Sequence, residues 1–222
     1  MKKSFFLPYV GPRYSEGING KRILVLGASF YCDRIGCEYF NDCTDRKKKD
    51  SSAYDLKCPA YADTGTALHD EPANCVDDRP QAYRQFGDNV SYILGLTQDE
   101  LWARVAFTNY VQFFLPAKGA YAETLSSDLS QRDFDAFIEV VRELKPDIII
   151  VWGSVVNSAV KENNPYLTVP SELKATDYYV CHIHIPGIEH EIAVINPYHP
   201  SSSAWFSDRE KFDRYLLGLL NS

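Results

Sequence analysis

No stretch of this sequence reaches the ~18 consecutive apolar residues that cross a bilayer, so no membrane-spanning helix is expected. Near the start, Lys2 and Lys3 precede Phe5-Phe6-Leu7, but Pro8 interrupts a run already too short for a signal core. The expectation is a cytoplasmic protein without a membrane partner. An excess of basic charge is also missing. Thirty acidic residues against 23 basic ones give a formal charge of −7, which argues against a protein that coats nucleic acid non-specifically. A local basic patch stays open, because net charge averages over faces. The run Arg46–Lys49 reads as a solvated loop that could also touch phosphate. There is no C-x-x-C pair among the six cysteines, no internal repeat and no G-x-S-x-G elbow.

Apolar and aromatic residues are plentiful, at 45% and 14%, enough for a sizeable core in 222 residues. "KRILVLG" (Lys21 to Gly27) and "PDIIIVWG" (Pro146 to Gly153) are near-continuous apolar runs ended by glycine, as strands buried on both faces are. "RVAFTNYVQFF" (Arg104 to Phe114) is a further strand, led in by a short helix that Thr97 and Glu100 cap. "DYYVCHIHI" and "HEIAVIN" alternate about a Pro-Gly and predict a hairpin. Helices are predicted over "RPQAYRQFGDNVSYILG", from Ser130 to Lys145, over "SVVNSAVKEN", and from Ser207 with Glu210 three residues on. This alternation predicts a three-layer α/β/α sandwich with a mainly parallel central sheet. One domain over 1–222 is expected, carrying an irregular insert at about 37–79.

In open α/β sheets the loops at the carboxyl ends of the strands carry the chemistry. Here those ends read Gly27-Ala28-Ser29-Phe30-Tyr31-Cys32, then Thr108-Asn109-Tyr110, then Val151-Trp152-Gly153-Ser154, then His199-Pro200-Ser201-Ser202-Ser203. Each also has a plain structural reading: a glycine ending a strand, a satisfied core asparagine, core tryptophans, a turn with a capping serine. Together, in this order, they resemble the uracil-DNA glycosylase superfamily. Its members carry an early Gly-led loop such as G-Q-D-P-Y-H, a middle L-N-T or T-N-V, a later L-L-W-G and a final H-P-S-P-L-S.

The resemblance implies a uracil-DNA glycosylase-like fold that binds a base flipped out of DNA and hydrolyses its N-glycosidic bond. It implies that Asn109 reads the base edge, His199 stabilises the departing base, and Phe30 and Tyr31 stack on or crowd it beside Gly27. Ser201 and Ser202 would bind flanking phosphates, and Trp205 or Ala204 would enter the duplex as a wedge. Ser29 stands where the G-Q-D-P-Y form has its water-activating acid, and serine is no general base at neutral pH. An alternative is therefore a binding module of the same fold, without catalysis, for a nucleic acid, nucleobase or nucleotide. An unrelated hydrolase with Ser29 or a cysteine as nucleophile and His199 as partner is a third reading. No cofactor is expected. The spacing C-x4-C-x5-C-x14-C over Cys32, Cys37, Cys43 and Cys58 leaves an iron–sulfur or zinc site as an alternative, as do His182, His184 and His190.

Overall fold

The computed structural model describes residues 6–32, 35–48, 81–117, 124–161, 164–168 and 180–222. The predicted parallel strands are β2 (Ile23–Gly27), β4 (Val105–Asn109), β6 (Ile148–Val151) and β9 (Ile192–Ile195). They pair side by side in the order β4-β2-β6-β9, all parallel. Every residue in these four strands is buried, because helices cover both faces of the sheet. The hairpin partner β8 (Val180–Ile183) runs antiparallel to β9, and the Pro186-Gly187 corner is made with Gly187 at φ +92°. Two-residue strands close the edges of the seven-stranded sheet: β1 (Tyr9–Val10) beside β4 and β7 (Leu167–Thr168) beside β8, both antiparallel.

Alternation along each strand divides the core. Leu24, Leu26, Ile149, Val151 and Val194 face one side, where α4 (Gln131–Leu144) and α5 (Ser154–Lys161) pack with Phe137, Val141, Val156 and Val160. Ile23, Val25, Val105, Phe107, Ile148 and Ile150 face the other. There α2 (Gln81–Leu94), α3 (Gln98–Arg104) and α6 (Ser203–Leu220) bring Phe86, Trp102, Phe212 and Leu216. The architecture is thus α/β, with a mostly parallel sheet between two helical layers.

Two of the three anticipated helix starts are capping boxes. Thr97 Oγ1 accepts from the Glu100 N–H while Glu100 returns an acceptor to the Thr97 N–H, and Ser130 and Asp133 do the same for α4. Asp133 also reaches beyond its own helix. Its Oδ1 accepts the Gln112 N–H at 2.8 Å, tying α4 to the loop after β4.

Three expectations change. The strand expected over Arg104–Phe114 stops at Asn109, where the chain turns, and a separate β5 (Phe114–Pro116) pairs with β3 (Phe30–Cys32) in a small parallel ribbon. Helix α6 starts at Ser203, not at Ser207, with Ser202 as N-cap. Its first turn therefore carries Trp205 inward. Of the insert, residues 35–48 contain one short helix, α1 (Phe40–Cys43), and 49–80 lie outside the described residues. Within the basic run, Arg46 pairs with the buried Asp128 at 2.6 Å, while Lys48 pairs with Asp42 on the surface. Among the described residues no helix is long and apolar enough to cross a membrane.

Candidate functional site

The carboxyl ends of all four central strands converge on one cavity of about 330 Å³. Gly27 ends β2 and Asn109 ends β4, opposite each other in register. Trp152 follows β6, and its N–H is held by Leu26 O at 2.9 Å. His199 follows β9. The turn carrying it is pinned to the β6 end by Asn196, whose Nδ2 donates to Val151 O and Gly153 O at 2.9 and 3.0 Å. Gly27, Ser29, Phe30, Tyr31, Asn109 and His199, six residues singled out in the sequence, all line this cavity. Its volume sits at the small end of ligand sites, which run from roughly 300 to 1,000 Å³.

Asn109 is 4% exposed, yet among the described residues its carboxamide has no hydrogen-bond partner. It is not the satisfied core asparagine of the plain reading. Its amide atoms are not among the side-chain atoms that are both shut off from solvent and without a partner, so the carboxamide stays open to whatever enters the cavity. Its backbone is fixed instead: Asn109 O accepts from Gln112 Nε2 at 2.9 Å, and the next residue's N–H donates to Gly27 O. Gly27 is needed there for space. A Cβ on it would lie 2.3 Å from Asn109 Oδ1 and 2.9 Å from Phe107 Cζ.

The tautomer of His199 follows from its neighbours. The Ser201 backbone N–H donates to Nδ1 at 3.3 Å, and Ser201 Oγ lies 2.8 Å from the same nitrogen. Nδ1 is therefore an acceptor, and a neutral ring carries its hydrogen on Nε2. The ring stands edge-on to Trp152, with centroids 6.0 Å apart at 80°. Burial alone lowers the His199 pKa below the ordinary histidine value, so the ring is neutral at pH 7.

That shift has a measurable consequence. The unfolded ring takes up a proton near pH ~6.5, whereas the folded ring does so only at lower pH. Between the two values the unfolded state binds more protons, so stability falls as pH drops. The contribution is complete above the ordinary value and is lost as pH falls toward the folded one. The midpoint of thermal unfolding of the wild-type protein should therefore decline more steeply from pH 7.5 to 5.5 than that of His199→Asn. The carboxyls of Asp133 and Asp213, raised by burial, act in the opposite sense and are common to both proteins.

Aromatic rings make the remaining walls. Tyr83, Phe107 and Trp152 form a nest with centroids 4.9 to 5.5 Å apart, and Phe30 and Phe114 close the opposite side against Phe6. Sequence reasoning missed Ala82, Tyr83, Phe107 and Phe114. Phe107 carried a usable signal, since it lies two residues before Asn109 on the same strand face. Tyr83 carried none, because on α2 it reads as an ordinary core position. No charged side chain lines the cavity among the described residues. Ser29 Oγ is 2.8 Å from Thr124 Oγ1, so its hydroxyl is bonded away from His199. Among the described residues Ser29 and His199 form no nucleophile–base pair of the hydrolase kind.

Other expected contacts do not assemble. Trp205 is 2% exposed, packed between Phe86 and Phe212, and takes no part in a surface wedge. Ser202 Oγ donates to His199 O at 2.7 Å and Ser201 Oγ lies 2.8 Å from His199 Nδ1, so both hydroxyls make contacts within the turn. Among the described residues no three His, Cys, Asp or Glu side chains come together as a metal group, and the four described cysteines form no disulfide. Cys58 lies outside the described residues, and Cys43 is buried beside Phe6, Phe30 and Phe114. His190 is occupied by Pro146 O at 3.0 Å. No protein-family model matches the chain, and no curated protein is significantly similar to it.

Proposed function

We propose that this is a uracil-DNA glycosylase-like protein, which takes a pyrimidine base flipped out of DNA into this cavity and cleaves its N-glycosidic bond. One observation carries the reading. A carboxamide that no described hydrogen bond uses and a neutral imidazole with its hydrogen on Nε2 share one aromatic-walled cavity, with no charged side chain among the described residues lining it. A carboxamide offers a donor and an acceptor side by side, matching the O4 and N3–H of uracil. The rings supply faces on which a base stacks, worth about 1–3 kcal/mol per base in comparable sites. The Nε2–H of His199 suits the base O2. As the C1′–N1 bond breaks, its electron pair leaves with the base and negative charge grows on O2, where that hydrogen bond strengthens. Water adds to the oxocarbenium-like sugar at C1′ and loses a proton, and the base anion takes one up.

A second reading has its own support. No carboxylate lines the cavity among the described residues to activate that water, and the Ser29 hydroxyl is bonded to Thr124. On this reading the cavity holds the base without turnover. One experiment separates the two: uracil release and binding, measured on single- and double-stranded DNA with one deoxyuridine, for wild type and Asn109→Ala. Asn109→Ala should lower release, or binding where release is absent, by at least about tenfold, since it removes two hydrogen bonds to the base. Release by the wild type supports glycosylase action. Uracil-selective binding without release supports the module. Activity or selective binding that survives Asn109→Ala unchanged rejects the site.

A further inference from the structure

Two cavity-lining side chains converge on one residue outside every motif of the sequence. Thr124 Oγ1 lies 2.8 Å from Ser29 Oγ and 2.9 Å from Tyr31 Oη. Thr124 is buried, and it precedes the short 3₁₀ turn Ser126–Asp128 on a segment separate from all four strand ends. From this geometry we infer that Thr124 is a positioning residue, a clamp that fixes the Tyr31 ring as a wall of the cavity and so sets the size of base the cavity accepts. The inference rests on the nucleobase reading of the cavity and names the residue that limits its substrate.

At 37% exposure Tyr31 is the most solvent-open of the described aromatic rings lining the cavity. Phe30, Phe107, Phe114, Tyr83 and Trp152 are buried among one another and cannot swing. The backbone of Tyr31 is set by the β3–β5 ribbon, where it sits opposite Leu115. That pairing fixes the Cα, while the χ angles of the ring depend on what holds its far end. A hydrogen bond at the ring's far end does select them. The same oxygen anchors Ser29 two residues earlier, so one threonine holds both ends of the Gly27–Tyr31 loop's polar rim. Each hydroxyl has one hydrogen, so the two bonds run in a chain. A methyl in place of the Thr124 hydroxyl breaks both bonds without changing the side chain's shape.

The test uses single-stranded oligoadenylate carrying one central deoxyuridine, one central thymidine, or neither. The two pyrimidines differ only by a 5-methyl group, so the ratio of their dissociation constants reports the size limit. Wild type should prefer the deoxyuridine strand. Thr124→Val should narrow that preference by about fivefold, near the worth of one hydrogen bond of ~1 kcal/mol. Thr124→Ser should keep it. Tyr31→Phe, which removes the other end of the same bond, should narrow it equally, and the double variant no further. Thermal unfolding of each variant separates loss of fold from loss of clamp, and Tyr31→Phe carries the test should Thr124→Val not fold. Wild-type discrimination that Thr124→Val and Tyr31→Phe leave unchanged overturns the clamp while the cavity stands. Wild-type binding no tighter to the deoxyuridine strand than to plain oligoadenylate overturns the nucleobase site and the clamp with it.

Discussion

If the protein is the proposed glycosylase, alanine at position 199 is expected to slow uracil release by about 10²–10³-fold, the usual cost of removing one preorganised donor from a developing anion. Tightness of binding to a deoxyuridine strand should change far less. The asymmetry follows from where the Nε2 hydrogen sits. Before the bond breaks, the base O2 is a neutral carbonyl, and one hydrogen bond to it is worth about 1 kcal/mol. As the bond breaks the same oxygen approaches a full charge inside a cavity lined, among the described residues, by no charged side chain. The field of a fixed N–H is stronger there than in water. The ring is ready for this before substrate arrives. Nδ1 is occupied by Ser201, the ring is neutral because it is buried, and the turn is pinned through Asn196. Only interactions that grow toward the transition state accelerate a reaction, and on the proposed glycosylase reading this contact is one. Single-turnover release and strand affinity, measured side by side on His199→Ala, check it. Equal losses in both would make His199 a ground-state contact. An unchanged rate would put the leaving-group donor elsewhere.

The convergence of Asn109 and His199 was legible because it depends on strand order more than on detail. A parallel strand buried on both faces writes itself as an apolar run; β2 ends at its glycine and β6 two residues before Gly153. Helix starts at Thr97 and Ser130 were legible for a similar reason: a capping box needs only two residues three apart, and local hydrogen bonds decide it. Features set by distant contacts were not. The beginning of α6 was misplaced because Ser207 and Glu210 have capping spacing. The helix instead begins where Trp205 can bury against Phe86 and Phe212. The strand at Asn109 was drawn too long because Tyr110, Val111 and Phe113 are apolar. They are buried, but beyond β4 rather than in it. Thr124 was invisible: a lone threonine between irregular segments says nothing until folding brings two hydroxyls to it.

A methyl group on Gly27 should do more damage to the site than its size suggests. In the fold the Cβ of Gly27→Ala falls 2.3 Å from Asn109 Oδ1, 2.9 Å from Phe107 Cζ and 3.3 Å from Phe107 Cε2. Real Cβ atoms do not approach that closely, so something must move. Phe107 cannot, because Tyr83 and Trp152 enclose its ring at 4.9 and 5.4 Å. The backbone of Asn109 is held by Gln112 and by its register with Gly27. What gives is the carboxamide, the one unbonded group in the contact, and it must swing away from the base edge it would read. Uracil-selective binding should then fall about as far as in Asn109→Ala, at least tenfold, although position 109 is untouched. Overpacking should add a stability loss of about 1–3 kcal/mol, a drop of roughly 2–4 °C in melting temperature per kcal/mol for a chain of this length. Gly218→Ala is the control. It lies in the last turn of α6, where nothing outside the helix's own backbone comes within 4 Å of the new methyl, and alanine is favoured over glycine in a helix by up to about 1 kcal/mol. Its melting temperature should hold or rise and its base binding should not change. A Gly27→Ala protein that selects uracil as the wild type does would mean that Asn109 does not read the base, whatever else the cavity holds.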